Sequence, residues 1–171
     1  MPKKVYNNVV DHRIIDNGRV VEDVTSITIP NIEHPTTTVS TSGMAMDVDI
    51  PNMSHVNAME LAINHNNGVN SRYLSDPGKH LIEVRVARQK YDVAAGDNDY
   101  EGVKFRFIAA FKGSEDGTIE NGNPYGSTAK YSILRYEKEI NGEIVTLIDA
   151  MSGIIHINGK DYTSAVESLL S

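Results

Sequence analysis

Apolar and polar residues alternate at period 2 through much of the second half of the chain, the pattern of half-buried β-strands. Ile82, Val84 and Val86 fall on one side of an extended segment, and Glu83, Arg85 and Gln89 on the other. A second run sets Val103, Phe105, Phe107, Ala109 and Phe111 against Lys104, Arg106 and Lys112. Between them, Asp92 to Gly102 is expected to be a connection with Asp97, Asp99 and Glu101 near its tip. The stretch Tyr131–Asp161 then organises the rest. Asn141-Gly142 predicts a type I′ hairpin turn, because both central residues of that turn need positive φ. A two-residue turn places Ile140 opposite Glu143, Lys138 opposite Val145, Tyr136 opposite Leu147 and Leu134 opposite Asp149. Cross-strand partners share a face. Ile140, Val145, Tyr136, Leu147 and Leu134 are therefore expected on an apolar face, with Glu137, Glu139, Arg135, Thr146, Ile144 and Ile148 on the other. Ile154–Ile157 is a further apolar run that meets Asn158-Gly159. Tyr162, Ala165, Val166, Leu169 and Leu170 recur at helical spacing, predicting an amphipathic helix over about 161–170. Its simplest seat is the protein's own sheet, with an outer contact surface as the alternative.

The first half is less regular. Val20–Ile29 is rich in β-branched residues and stops at Pro30, which predicts a strand entered through Asn17-Gly18. Asn31–Ser42 follows, with Thr36, Thr37, Thr38, Val39, Ser40, Thr41 and Ser42 forming an uncharged Thr/Ser arm that leads into Gly43 and Met44. Such an arm, about 31–45, is either a flexible loop or a segment ordered on assembly. Met44, Met46, Val48 and Ile50 alternate with Ala45, Asp47 and Asp49, predicting a half-buried strand closed by Pro51. The stretch 55–64 supports two readings: propensity and a Ser54 cap favour helix, whereas Met59, Leu61 and Ile63 alternate as in a strand. One short helix fits around Val69–Leu74, and Gly113–Ser127 has the composition of a long polar loop. Six to eight strands with one or two short helices predict a mainly-β sandwich or barrel.

At 171 residues one domain is expected, with a core of useful size. The net charge of −7 argues against tight nucleic-acid binding, which requires clustered Lys and Arg. Cysteine is absent, which removes disulfides and thiolate metal sites. No apolar run approaches a membrane span and MPKKVYNN lacks the apolar core of a signal peptide, so work or assembly in the cytoplasm is expected.

Candidate chemistry is thin. His12, His34, His55, His65, His80 and His156 show no metal-ligand spacing, and solvated, scattered histidines are the expectation. Gly-x-Ser-x-Gly does not occur, and no carboxylate pair stands out. The DNDYEG stretch lacks the ordered ligands of an EF-hand. Glycine-rich phosphate loops are absent. The expectation is no enzyme, no cofactor and no metal.

The order of segments resembles the major tail tube protein of contractile-tailed bacteriophages. Four features carry the resemblance: SITIPNI closed by proline; Ser42-Gly43-Met44 leading through MDVDI to NAMELAIN; Arg88-Gln89-Lys90 followed by an acidic glycine loop; and the closing run ILRYEKEINGEIVTLIDAMSGIIHINGKD with its terminal helix. It covers the chain from about Ser26 onward. A short helix after NAMELAIN and a long Gly113–Thr128 loop depart from it. The resemblance favours strand for 55–64 and implies a virion tail protein made in the host cytoplasm. Six-membered rings of such a protein stack into a hollow conduit for DNA. The implied partners are its own copies, the tail sheath protein, a baseplate initiator and a tail terminator, with DNA passing unbound. A bore must not trap phosphates, which makes Asp47, Asp49, Glu60, Glu137 and Glu139 candidate lumen residues. Thr36–Met44 becomes a candidate contact between rings or subunits. The alternatives are the tube of an injection or bacteriocin particle and, in another class, a monomeric β-barrel binding module.

Overall fold

The computed structural model describes residues 3–171. Twelve strands and one helix follow in order: β1 (Lys4–Asp16), β2 (Arg19–Val21), β3 (Val24–Thr28), β4 (Thr36–Val39), β5 (Val48–Pro51), β6 (Glu60–His65), β7 (Lys79–Asp92), β8 (Asp97–Glu115), β9 (Ser127–Ile140), β10 (Glu143–Asp149), β11 (Ile154–Ile157), β12 (Lys160–Asp161) and α1 (Ser164–Leu170). A 3-10 turn at Ser71–Ser75 lies between β6 and β7. Ten strands make one antiparallel sheet in the order β12-β11-β10-β9-β8-β7-β1-β2. It branches at β9. The first half of β9, Ser127–Ser132, pairs with β6, which carries β3, and its second half, Arg135–Ile140, pairs with β10. The mainly-β class expected from the alternation is the class observed.

The long strands pair in the expected phase. Ile82 and Val84 on β7 and Val103, Phe105, Phe107 and Ala109 on β8 are buried, together with Ile14, Leu61, Ile63, Ala129, Tyr131, Ile133, Tyr136, Ile148 and Ile155. The aromatic rings interlock. Phe105 and Phe107 stack at 6.1 Å, and Tyr136 stands edge-on to Phe107 at 5.4 Å. Burial raises the Tyr136 phenol to about 12. Tyr131 is fully buried and donates its hydroxyl to the Leu74 carbonyl, which fastens the 3-10 turn to the sheet.

Several expectations are corrected. Asn141-Gly142 does turn the chain, with φ of 50° and 83°, but a bulge between Ile144 and Thr146 shifts the register by one residue. Lys138 faces Thr146, Glu137 faces Leu147 and Tyr136 faces Ile148. A bulge flips later side chains to the other face, so Ile148 joins Tyr136 in the core in place of Leu147. A second irregularity at Leu134 separates Ile133 from Tyr136 on the inner face. Val20–Ile29 is two strands. Asp23 at φ 64° breaks the run, so β2 closes on β1 while β3 crosses to β6. The 55–64 stretch holds a strand, β6, because burial of Leu61 and Ile63 outweighs helix propensity. The acidic connection is mostly strand: β8 begins at Asp97, and β7–β8 pairs out to Asp92 with Asp97. β8 also runs on to Glu115, which shortens the following polar loop. β1, thirteen residues long, has no counterpart in the expected elements.

Candidate assembly surfaces

The Thr/Ser arm and the acidic strand after it are one structure. Thr36 pairs with Pro51, Thr37 with Ile50, Thr38 with Asp49 and Val39 with Val48, so β4 and β5 form a two-stranded hairpin separate from the main sheet. Met44–Ile50 is therefore not the half-buried strand its alternation predicts. Only Val48–Pro51 is strand, all of it exposed. Met44 and Met46 sit in the hairpin's end loop with Ser40, Thr41, Ser42, Gly43 and Asp47. Met46 is 72% exposed and Ile50 52%. Thr38 Oγ1 donates to Asp49 at 2.6 Å, and at the base the Asn52 N–H donates to the Pro35 carbonyl at 2.8 Å. The reason for the miss is local. Alternation reports a strand with two unlike faces, and here the apolar face is left uncovered.

The five acidic candidates lie on three stretches of the chain, and three of them, Glu60, Glu137 and Glu139, pair with cations of β8. Asp47 and Asp49 belong to the hairpin. Glu60 opens β6 and is paired with Lys112 at 2.5 Å, a contact that lowers its pKa. Glu137 and Glu139 lie on the outer face of β9, where Arg106 Nη1 reaches Glu137 at 2.5 Å and Glu139 at 2.9 Å. Glu83 Oε2 stands 4.0 Å from Arg106 Nε, and Arg135 is 3.5 Å from Glu137. The register produces this ladder: Glu83, Arg106 and Glu137 are consecutive cross-strand partners on β7, β8 and β9. Glu137 is consequently buried.

The C-terminal stripe does not seat on its own sheet. Tyr162 packs against the core and donates its N–H to the Ile155 carbonyl. Val166, Leu169 and Leu170 are exposed, the last two at 85% and 83%, and Ala165 is exposed as well. The Asp161 carboxylate accepts from the N–H groups of Thr163 and Ser164, which holds it well below the usual carboxylate range. These bonds order the turn that leads into α1, none of whose residues is buried.

Two histidines are buried, correcting the expectation of solvated ones. His80, 1% exposed, donates Nε2–H to the Asp76 carbonyl at 2.6 Å and presents Nδ1 to Asp16 at 3.0 Å. Burial raises the Asp16 pKa, opposed by His80. With Nε2 bonded to the Asp76 carbonyl and Nδ1 against Asp16, the pair pins the end of β1 to the start of β7. His65, 2% exposed, has neither ring nitrogen hydrogen-bonded within the protein, and burial lowers its pKa. Neither was visible in the sequence, since one histidine in a strand carries no spacing signal. His34 and His55 meet only through the His34 ring and the His55 carbonyl, at 2.7 Å. Among the described residues no three His, Asp or Glu side chains gather as a metal site, and no helix is long and apolar enough to cross a membrane.

The structure is thus a mainly-β scaffold with a free-standing hairpin, an exposed apolar stripe on its helix and ion-paired sheet faces. The chain matches the family of phage tail tube protein FII over residues 12–170 and belongs to it. Its fold is similar to that of the sheath/tube terminator of PVC, an extracellular contractile injection system, solved by cryo-EM in the extended state. The two share 9% identity with a TM-score of 0.53, covering 78% of this chain and 96% of that one. At that identity the likeness speaks for the fold alone. No curated protein matches the chain.

Proposed function

We propose that this protein is the inner-tube subunit of a contractile phage tail, closing into six-membered rings that stack as a hollow conduit for DNA. The observation that carries the reading, beside the family, is the β4–β5 hairpin. Two-stranded hairpins are marginal in water without a third strand or a packed face. This one pairs only with itself and has only Val39 half-buried between Thr36 and Pro51. A neighbouring copy supplies the missing cover. The partners on this reading are further copies, the sheath protein, a baseplate initiator and a tail terminator, within a virion tail assembled in the host cytoplasm. DNA passes without tight binding.

A second reading within the same family keeps the tube and places it in a phage-derived injection or bacteriocin particle. A small-ligand module finds little support, because the cleft of about 420 Å³ between Arg13, Arg85 and Lys104 is wide open to solvent rather than enclosed. The test is negative-stain electron microscopy at rising protein concentration, paired with light scattering. Six-fold rings or hollow rods are the expected result. A persistent monomer that binds a small ligand saturably overturns the reading.

A further inference from the structure

Charge is segregated along this chain. From Val20 to Ser71 there is no Lys or Arg, while Glu22, Asp23, Glu33, Asp47, Asp49 and Glu60 all fall there. The projecting hairpin is the centre of that acidic stretch. Asp47 has no ion-pair partner among the described residues, and Asp49 has only the Thr38 hydroxyl. The opposite arrangement occurs on the outer face of the long strands. Arg13 on β1 pairs in register with Arg85 on β7, and Arg85 with Lys104 on β8. Neighbouring strands lie about 4.8 Å apart, so the three cations form a row roughly 10 Å long across the sheet.

Like charges directly opposite one another destabilise a sheet, and nearby acids do little to relieve this row. Glu83 takes Arg85 at 2.5 Å, leaving Arg13 and Lys104 without an ion pair among the described residues. Glu139, across from Lys104, is held by Arg106. The Asp11 carboxylate turns back to accept the His12 N–H at 2.8 Å. Two register positions on, and so on the same face, Ala87 pairs with Gly102, and nothing lies within 4 Å of where a Gly102 Cβ would stand. The result is an open cleft with a floor of small residues and a basic edge.

We infer that the Arg13–Arg85–Lys104 row is the seat for the β4–β5 hairpin of a second copy, with Asp47 and Asp49 supplying the carboxylates. This rests on the tube-subunit reading and names the contact within it. The two surfaces differ, so the contact is head-to-tail, the kind that closes rings when the rotation closes. It also accounts for two unpaired cations and an uncovered hairpin with one interaction. Because Arg13, Arg85, Asp47 and Asp49 are exposed and Lys104 is half-buried, the contact is salt-sensitive and acts on the association rate as well as on affinity.

Charge exchange tests it. Two double variants are made in the full chain, Arg85→Glu with Lys104→Glu and Asp47→Lys with Asp49→Lys, with circular dichroism and melting to show that each folds like the parent. Each alone is expected to raise the concentration needed for assembly by roughly tenfold or more, as lost charge pairs at interfaces do. Mixed one to one, acidic hairpins meet basic rows and basic hairpins meet acidic rows, so assembly returns. The chain carrying all four changes assembles as well. Assembly of either double variant at the parent's concentration overturns the contact, as does failure of both the mixture and the fourfold variant. If Arg85→Glu with Lys104→Glu assembles normally but loses retention of a single-stranded oligonucleotide, the row serves nucleic acid and the inference falls. A parent chain that stays monomeric at every concentration overturns the tube reading along with it.

Discussion

Two hairpins of this protein are built on opposite terms. β7–β8 spans Lys79–Glu115, pairs from Lys79–Ala110 out to Asp92–Asp97, and buries one face with Ile82, Val84, Val103, Phe105 and Phe107. β4–β5 has four pairs and exposes nearly everything. Both are rich in β-branched or aromatic residues, so propensity alone does not separate them. Burial does. Apolar area removed from water contributes about 25 cal/mol per Å², and the first hairpin collects that contribution inside the monomer while the second has nothing to collect it from. The contrast separates the part of the fold that buries its own apolar face from the part that leaves its surface uncovered.

The sharpest way to break the self-sufficient half is Phe107→Ala. Phe107 is 2% exposed and contacts Phe105 and Tyr136. Truncation is expected to cost about 3–5 kcal/mol, a large fraction of a small domain's stability. Chemical denaturation should show the midpoint collapsing, with assembly lost only as a consequence of unfolding. A midpoint within error of the parent would place Phe107 outside the core.

Next comes the polar pin at the foot of β7. His80→Leu leaves Asp16 buried without its partner, and breaking such a pair costs about 3–5 kcal/mol at the upper end. Because His80 is smaller than a phenyl ring and sits at the sheet's end, the loss should fall just below that of Phe107→Ala. Adding Asp16→Leu should return part of the loss, with a coupling energy of about 1–3 kcal/mol in a double-mutant cycle. Strict additivity would mean the two side chains do not act as a pair.

His65 gives the pH dependence. Its folded pKa is lowered by burial, and no ring nitrogen is bonded within the protein. A histidine of that kind contributes stability that is complete above its unfolded pKa of about 6.5 and erodes as pH falls below it, because the unfolded chain then takes up the proton first. Thermal melts should show the parent losing Tm on acidification through that window. His65→Leu should flatten this part of the profile while matching the parent, or exceeding it by a few degrees, near neutrality. An unchanged slope would assign the acid loss to other groups, and Asp16 does not qualify. With its pKa raised by burial, its contribution strengthens at low pH and is lost as pH rises.

How much of this was legible depends on where the deciding interaction lies. β7, β8 and the Asn141-Gly142 turn were readable because periodicity and positive φ are properties of a few adjacent residues. The bulge at Val145 was not, since it depends on how β10 fits between β9 and β11. β1 was hidden by Asn7, Asn8 and Asp11, poor strand formers that β7 nonetheless pairs through two irregularities. The family resemblance favoured strand for 55–64 where propensity favoured helix, and the strand, β6, takes up only Glu60–His65. The hairpin's residues were singled out, but a free-standing form was not foreseen, because alternation in Met44–Ile50 signals two unlike faces without saying whether either is covered. The ladder of Glu83, Arg106, Glu137 and Glu139 required the register of three strands at once. Reading Glu137 and Glu139 as an acidic face took account of β9 alone.

The gentlest test acts on the other hairpin and should leave stability almost untouched. Val39 and Val48 are cross-strand partners, so a two-residue Asn-Gly turn can join them in place of Ser40–Asp47 without altering the register below. The removed loop is wholly exposed and carries Met44 and Met46, which contribute nothing to the monomer's core. Removing it is expected to change unfolding free energy by less than about 0.5 kcal/mol, the range for surface changes away from packed or strained features. The better turn offsets whatever local contacts the loop made. On the tube reading, however, the shortened arm loses Asp47 and the reach to a neighbour, so light scattering should show assembly weakened while the melt is unmoved. A melt that drops by several degrees would instead show the loop folded back onto its own sheet in solution. In that case the contrast between the two hairpins would be one of degree, and the exposed arm would no longer argue for a second copy.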